Sequence, residues 1–388
     1  MEKQEKPSAG AEEEVPTKVI PAAKKRELKV EVGEKRDESP PHHKSPKERL
    51  KITANLRKLA RISADTDKER NNDMLEAEVF CVRFSPDSKY IAAGCGDGSV
   101  RIFNPEGKLS YLLNAGSADE LPTTAIRFRP SSSTSRTKNM LICGNANGTI
   151  ETWHMTSRKR IFKIEEEGNQ VYALDYSSDG DKFASAGKDT VVRVYEEATK
   201  SLLATFERGF TSTNAASGHS NRVYALKFHP KEKNILMSAG WDNTVQIWDV
   251  RTKKSVRYIY GPHICGDALD VFEDRILTGS WKSNDALQLW DFKSGKLIQS
   301  VPFRPPAEDK ADAIPEMLYA AAFSPDGKYI AAGGSGGSEA RMFDVAEKMK
   351  LVDEFDGGGK GVYSLHFSGN GRKLATGSGN DQIAVMDL

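Results

Sequence analysis

The chain is poor in several things at once. It has 388 residues but only four cysteines, Cys81, Cys95, Cys143 and Cys265. None stands at C-x-x-C spacing, which excludes a zinc ribbon and a disulfide framework and points to a reduced, intracellular compartment. No apolar run approaches the ~18 residues of a membrane span, and the first residues, MEKQEKPSAGAEEEV, lack the apolar core of a signal peptide. Net charge is nearly absent: 56 Lys and Arg stand against 55 Asp and Glu. That balance argues against a general polyanion binder. Hydrophobic residues make up 38%, below the ~45–50% of an average globular chain. Part of the chain therefore does not fold, or small residues build its core, and the 32 glycines favour a share for the second.

The missing aromatics locate a boundary. Residues 1–72 contain no Phe, Trp or Tyr, and the first aromatic is Phe80. This segment has 18 basic and 14 acidic residues, so too little apolar surface is present to offset chain entropy, and a disordered charged tail over 1–72 is expected. Residues 1–14 are acidic and 18–61 basic, with Lys24-Lys25-Arg26 a candidate nuclear-import cluster. Ser39-Pro40 and Ser45-Pro46 are candidate proline-directed phosphorylation sites. Leu50, Ile52, Leu56, Leu59 and Ile62 stand among Lys and Arg, and 52, 56 and 59 have helical spacing.

What is abundant lies beyond residue 72, and it repeats. Val223-Tyr224-Ala225-Leu226-Lys227-Phe228 aligns with the segments at 79–84, 171–176, 318–323 and 362–367, and more weakly with 123–128 and 266–271. Each copy is followed by a turn such as Ser324-Pro325-Asp326-Gly327. Then comes a short run ending in small residues, such as Ile91-Ala92-Ala93-Gly94. An alternating strand such as Val245-Gln246-Ile247-Trp248-Asp249 follows. Three short strands per unit result, with room for a fourth in the connection, as at 201–206. The residues closing the third strands are Phe103, Trp153, Tyr195, Trp248, Trp290, Phe343 and Met386, at intervals of 42 to 53 residues.

A period near ~40–45 with four strands per unit is that of WD repeats. Residues 73–388 resemble the WD40 family, with the diagnostic dipeptide intact at Trp248-Asp249 and Trp290-Asp291 and degraded elsewhere. The resemblance implies an all-β, seven-bladed propeller preceded by the charged tail. It also implies a structural tetrad of His219, Ser238, Asp242 and Trp248, in which turn carboxylate, imidazole, hydroxyl and indole satisfy one another. The third unit keeps Ser185 and Asp189 but has Tyr195 and no His. A ring must cover its blade edges, and the chain ends after the seventh third strand. The closing strand is thus expected upstream of Phe80, within 50–66. Leu56–62 is favoured for it, in competition with a basic amphipathic helix.

No catalytic, cofactor or metal site is expected. Gly336-Gly337-Ser338 and Gly377-Ser378-Gly379 are turns between strands rather than nucleophile elbows, GGGKG at 357–361 is no P-loop, and of the seven histidines His42 and His43 lie in the tail while the others lack ligand spacing. Binding candidates are clearer. Trp241 and Trp281 occupy equivalent turns of consecutive units, and Trp is enriched in interface hot spots. Phe80, Tyr172, Tyr224, Tyr319 and Tyr363 share one position of the first strand, where they would either rim the channel or pack between blades; Thr124 and Asp267 stand there in the other two units. Arg251 follows the Trp248-Asp249 box as in substrate receptors of cullin-RING ubiquitin ligases. These features point to a non-catalytic scaffold binding other proteins or peptides, in a multi-subunit, cytoskeletal or ciliary setting. The alternatives are the ligase receptor and a nuclear or RNA-processing factor in which the basic tail contacts nucleic acid.

Overall fold

A computed structural model describes residues 51–55 and 78–388, save 115–119, 132–137, 211–215, 305–316, 338 and 357–359. All of these belong to one compact unit, 49–388. Among the described residues every regular element is a strand. The strands form seven four-stranded antiparallel sheets, with a two-stranded hairpin, Gly209–Phe210 with Ala216–Ser217, between the third and fourth. The blades run over 79–114, 123–165, 171–206, 223–260, 269–301 and 317–356, and blade seven begins at 362. Each blade's first strand packs against the first strands of its neighbours, and that of blade one, Val79–Phe84, packs on that of blade seven, Val362–Phe367. The result is a closed seven-bladed propeller.

The fourth strand of blade seven comes from upstream: Lys51–Asn55 pairs antiparallel with Ile383–Asp387, Lys51 opposite Asp387 and Asn55 opposite Ala384. Leu56–62, to which the sequence assigns that place, lie outside the described residues, as do the rest of the tail and its two Ser-Pro sites.

The small residues have a steric cause. The second strand of each blade is largely buried, wholly so in Ile91–Cys95, and its small residues let it approach the next blade's first strand closely, as at Gly144 and Gly377. A Cβ on Gly144 would stand 2.5 Å from Cγ1 of Val171, and one on Gly377 would stand 2.7 Å from Cγ1 of Val79. A methyl group there would separate two blades, so the core is dense without being rich in large apolar residues. The large side chains sit one strand further out. Phe103, Trp153, Tyr195, Trp248, Trp290, Phe343 and Met386, the seven third-strand closers, are all buried.

Candidate functional site

Six blades share a local irregularity. The register between first and second strands slips at Phe80, Thr124, Tyr172, Tyr224, Tyr319 and Tyr363. A β-bulge leaves one residue unpaired and re-aims its side chain. Each of the six is half-buried between fully buried neighbours, so the bulge turns it off the blade face and toward the channel. Blade five differs: its first strand, Leu269–Phe272, pairs without a slip, and Asp267 lies just ahead of it.

The aromatics form two arcs. Tyr172 and Tyr224 stack at 4.8 Å with planes 5° apart, and Trp241 extends the arc, its ring 5.3 Å from Tyr224. Across the mouth, Phe80 stacks on Tyr363 at 5.8 Å and Tyr319 meets Tyr363 edge-on at 5.4 Å. The arcs break at Thr124 and Asp267. The seven residues at the aromatic position, without Trp241, wall a cup of about 330 Å³. The rim and inter-blade readings of these side chains therefore coexist: the rings pack on one another across blade boundaries while lining the cavity. Burial raises the pKa of the Tyr172, Tyr224 and Tyr363 phenols, so all three remain hydroxyls across the ordinary pH range.

Below the aromatic layer lies a charged one. Three residues beyond the aromatic position stand Arg83, Arg127, Asp175, Lys227, Asp270, Ala322 and His366. Arg127 donates to Asp175 at 3.2 Å and, across the channel, to Asp267 at 2.8 Å. Arg83 contacts the same Asp267 carboxylate, and Lys227 pairs with Asp270 at 2.9 Å. The two pairs at Asp267 cross the channel and floor the cup, while Asp175, Lys227 and Asp270 face a second cavity of about 390 Å³ at the opposite end. The layer also joins neighbouring blades. Asp175 accepts from the Phe228 amide at 2.7 Å, Asp270 from the Phe323 amide at 2.9 Å, and His366 Nδ1 from the Phe84 amide at 3.1 Å. Enclosure, reinforced by Arg83, Arg127 and Lys227, holds the His366 pKa well below its ordinary value, in keeping with an acceptor nitrogen. The sequence reading missed the charged layer, although six of the seven aligned first strands carry a polar residue at the fifth position. Its pairing leaves no local pattern, because Asp267 lies 140 or more residues from its arginines.

The two indoles have different surroundings. Trp241 is half-buried. Its Nε1 donates to Cys265 Sγ at 2.7 Å, Arg222 lies 5.2 Å from its ring, and His263 stacks at 6.2 Å. Trp281 is 39% exposed, held by its amide donating to the His263 carbonyl at 2.8 Å. Trp241 thus backs two residues of the cup's wall, Tyr224 and Cys265, and Trp281 lies one step further out, beside His263. Cys265 borders the cup with its thiol pushed by burial to about 11. Arg251 is exposed and forks onto its own Asp249, at 3.2 and 2.9 Å.

Blade four brings the four tetrad residues together. His219 Nδ1 lies 2.8 Å from Asp242 Oδ2, His219 Nε2 lies 2.6 Å from Ser238 Oγ, and Trp248 Nε1 donates to that oxygen at 2.7 Å. Burial acts to raise the Asp242 pKa, but the hydrogen bonds from His219 and the Ser220 amide outweigh it and lower it. Blade three, which lacks the histidine, uses Glu166 instead. This carboxylate accepts from Ser185 Oγ and, at 2.7 Å, from Tyr195 OH. A search for His alone misses it; a carboxylate five residues before the first strand was the signal. In blade five Trp290 Nε1 reaches Thr278 Oγ1 at 2.9 Å.

Seven small blades closed around a plugged channel, with tryptophans on the third strands, define a repeat propeller. The family model for the WD domain, G-beta repeat, matches residues 73–104, 158–196, 210–249, 315–344 and 349–387. The chain belongs to the WD40-repeat family. It is 24% identical over 306 residues to the SIR4-interacting protein SIF2 of Saccharomyces cerevisiae, covering 73% of this chain and 49% of the relative. It is 24% identical over 318 residues to Pre-mRNA-processing factor 19 of Oryza sativa subsp. japonica, covering 79% and 54%. It is 25% identical over 198 residues to the THO complex subunit 6 homolog of Danio rerio, covering 48% and 58%. The chain thus spans about half the length of these relatives. Among the described residues no helix is long and apolar enough to cross a membrane, and no cluster of His, Cys, Asp or Glu is arranged to hold a metal.

Proposed function

We propose that this WD40 propeller is a non-catalytic scaffold that docks a protein partner on the face bearing the aromatic cup, within a multi-subunit assembly. The observation that carries the reading is the coincidence of an open, aromatic-walled cavity with the exposed Trp281 on one face. Concave aromatic surface with a few placed polar groups is what binding sites are made of, and Trp and Tyr dominate interface energetics. The names of two matched relatives, an interacting protein and a complex subunit, support assembly with other proteins.

Affinity purification with mass spectrometry tests this. The Trp241→Ala, Trp281→Ala double variant should lose partners that the wild type retains; an unchanged partner set from a folded variant would defeat the assignment. The same experiment addresses the ligase reading, in which Arg251→Ala releases a ligase adaptor. A second function, RNA processing, is supported by the name of the pre-mRNA-processing relative and by the basic stretch 18–61. It requires RNA binding that weakens steeply with salt and disappears when 18–61 are deleted.

A further inference from the structure

The cup has a polarity of its own. Its charged lining residues are Arg83, Arg127 and Asp267, two guanidiniums and one carboxylate. The remaining partners of the charged layer, Asp175, Asp270 and Lys227, border only the opposite cavity. The layer as a whole is neutral, but its cup side carries a surplus positive charge. The donors are also in excess. Each guanidinium offers five N–H groups. The bonds of Arg83 go to the Val82 carbonyl, Ser364 Oγ and Asp267. Those of Arg127 go to the Ile126 carbonyl, Asp175 and Asp267. The Arg83 side chain is only 5% exposed, so its charge is poorly served by bulk water. Asp267, at 27% exposed, is the most accessible of the three, but its carboxylate is already shared between both guanidiniums.

We propose that the cup receives a carboxylate carried on an apolar body, with Arg83 and Arg127 at its floor taking the anion and the two aromatic arcs enclosing the body. This rests on the reading of the cup face as the docking face, and specifies the chemistry a partner must present there. The fit is physical at each point. A carboxylate adds charge-assisted hydrogen bonds to guanidinium donors already in place, without displacing Asp267. Aromatic edges are the positive part of the ring quadrupole and tolerate an anion beside them. The low-dielectric walls strengthen the attraction.

Three small probes of one shape test the charge preference: 4-phenylbutyrate, its amide, and 4-phenylbutylamine, each measured against the full chain by ligand-observed NMR. The acid is expected to bind about tenfold or more tighter than the amide, and the amine weakest. Equal affinity across the three, preference for the amine, or no binding by the acid overturns the proposal. Arg127→Gln should erase the preference and Trp281→Ala, outside the cup, should preserve it; the wild-type series is decisive even if Arg127→Gln fails to fold. The carboxylate could come from a side chain or from a chain terminus. Ac-Phe-Glu-Phe-amide and Ac-Phe-Gln-Phe with a free terminus separate these sources. The tighter binder identifies the source, and failure of both to exceed Ac-Phe-Gln-Phe-amide counts against the proposal. Because the small probes report on the cup alone, a failure here combined with partner loss on Trp281→Ala would leave the docking face standing and remove only its acid specificity.

Discussion

Blades four and five are neighbours, and both end their third strand in Trp-Asp, yet they are built differently. Blade four keeps the tetrad, carries a bulge at Tyr224 and has its first three strands within a family match. Blade five satisfies Trp290 through Thr278 alone, has no bulge and lies outside every matched segment. The Trp-Asp signature therefore reports the core of a blade and says little about what the blade offers the channel. That is decided by the first strand, where loss of the bulge puts Asp267 in place of an aromatic. The departure in blade five gives the cup the one carboxylate that lines it among the described residues.

The largest expected effect follows from that departure. Asp267→Ala leaves Arg83 and Arg127 without their shared partner. Breaking a buried ion pair from one side costs about 3–5 kcal/mol, so the urea midpoint should fall well below that of any single blade-four variant. A near-neutral result would mean that Asp175 alone anchors the arginines.

The closing strand comes next. Deleting residues 1–49 keeps Lys51–Asn55 beside Ile383–Asp387, whereas deleting 1–66 removes it and bares a blade edge. The longer deletion should lower the thermal midpoint by about 5 °C or more, and the shorter one by much less. Equal midpoints would show that the strand contributes nothing to closure.

Within the blades, Asp242→Ala strands His219 and the Ser220 amide, at about 1–3 kcal/mol per unsatisfied group. Thr278→Val removes a single acceptor from Trp290 and should cost about 1 kcal/mol. Asp97→Ala should also cost less than Asp242→Ala, since Asp97 serves only Arg101, at 2.7 Å, and the Ser99 amide. Chemical denaturation of the three variants ranks them directly; a reversed order would make the tetrad incidental.

The smallest effect is a pH slope. The His366 pKa is depressed in the fold, so below about 6.5 the unfolded chain takes a proton that the folded chain refuses. Stability therefore falls as pH drops from about 6.5 toward the folded value, at up to about 1.4 kcal/mol per pH unit for this one group. His229 and His263, also depressed by burial, add slopes of the same sign. His366→Asn should flatten the dependence by one proton's worth; an unaltered slope would place the proton elsewhere.

These comparisons also mark what a sequence can show. The seven third-strand closers were legible because each is a large residue at a fixed interval, and intervals survive when individual letters decay. The aromatic position of the first strand was legible for the same reason. Lys51–Asn55 was harder to place than its neighbours, because any short segment upstream of Phe80 can pair along a bare edge and the backbone ladder names no side chain. Glu166 was hidden by chemistry: a carboxylate does in blade three what an imidazole does in blade four. The Asp267 bridge was hidden by distance, since contact across a ring leaves no local pattern.

Docking of a partner on the aromatic face, rather than on the blade edges, is the proposal most open to direct test. The edges are a real competitor, for Tyr258 and Tyr260 on the outer strand of blade four are 58% and 70% exposed. Hydrogen–deuterium exchange of the full chain with and without a partner recovered by affinity purification decides between them. Docking on the aromatic face should bring new protection to the segments around Tyr224, Trp241, His263 to Asp267, Trp281 and Tyr319, with the outer strand Lys254–Tyr260 unchanged. Protection of Lys254–Tyr260 with the mouth of the channel unaffected would contradict it.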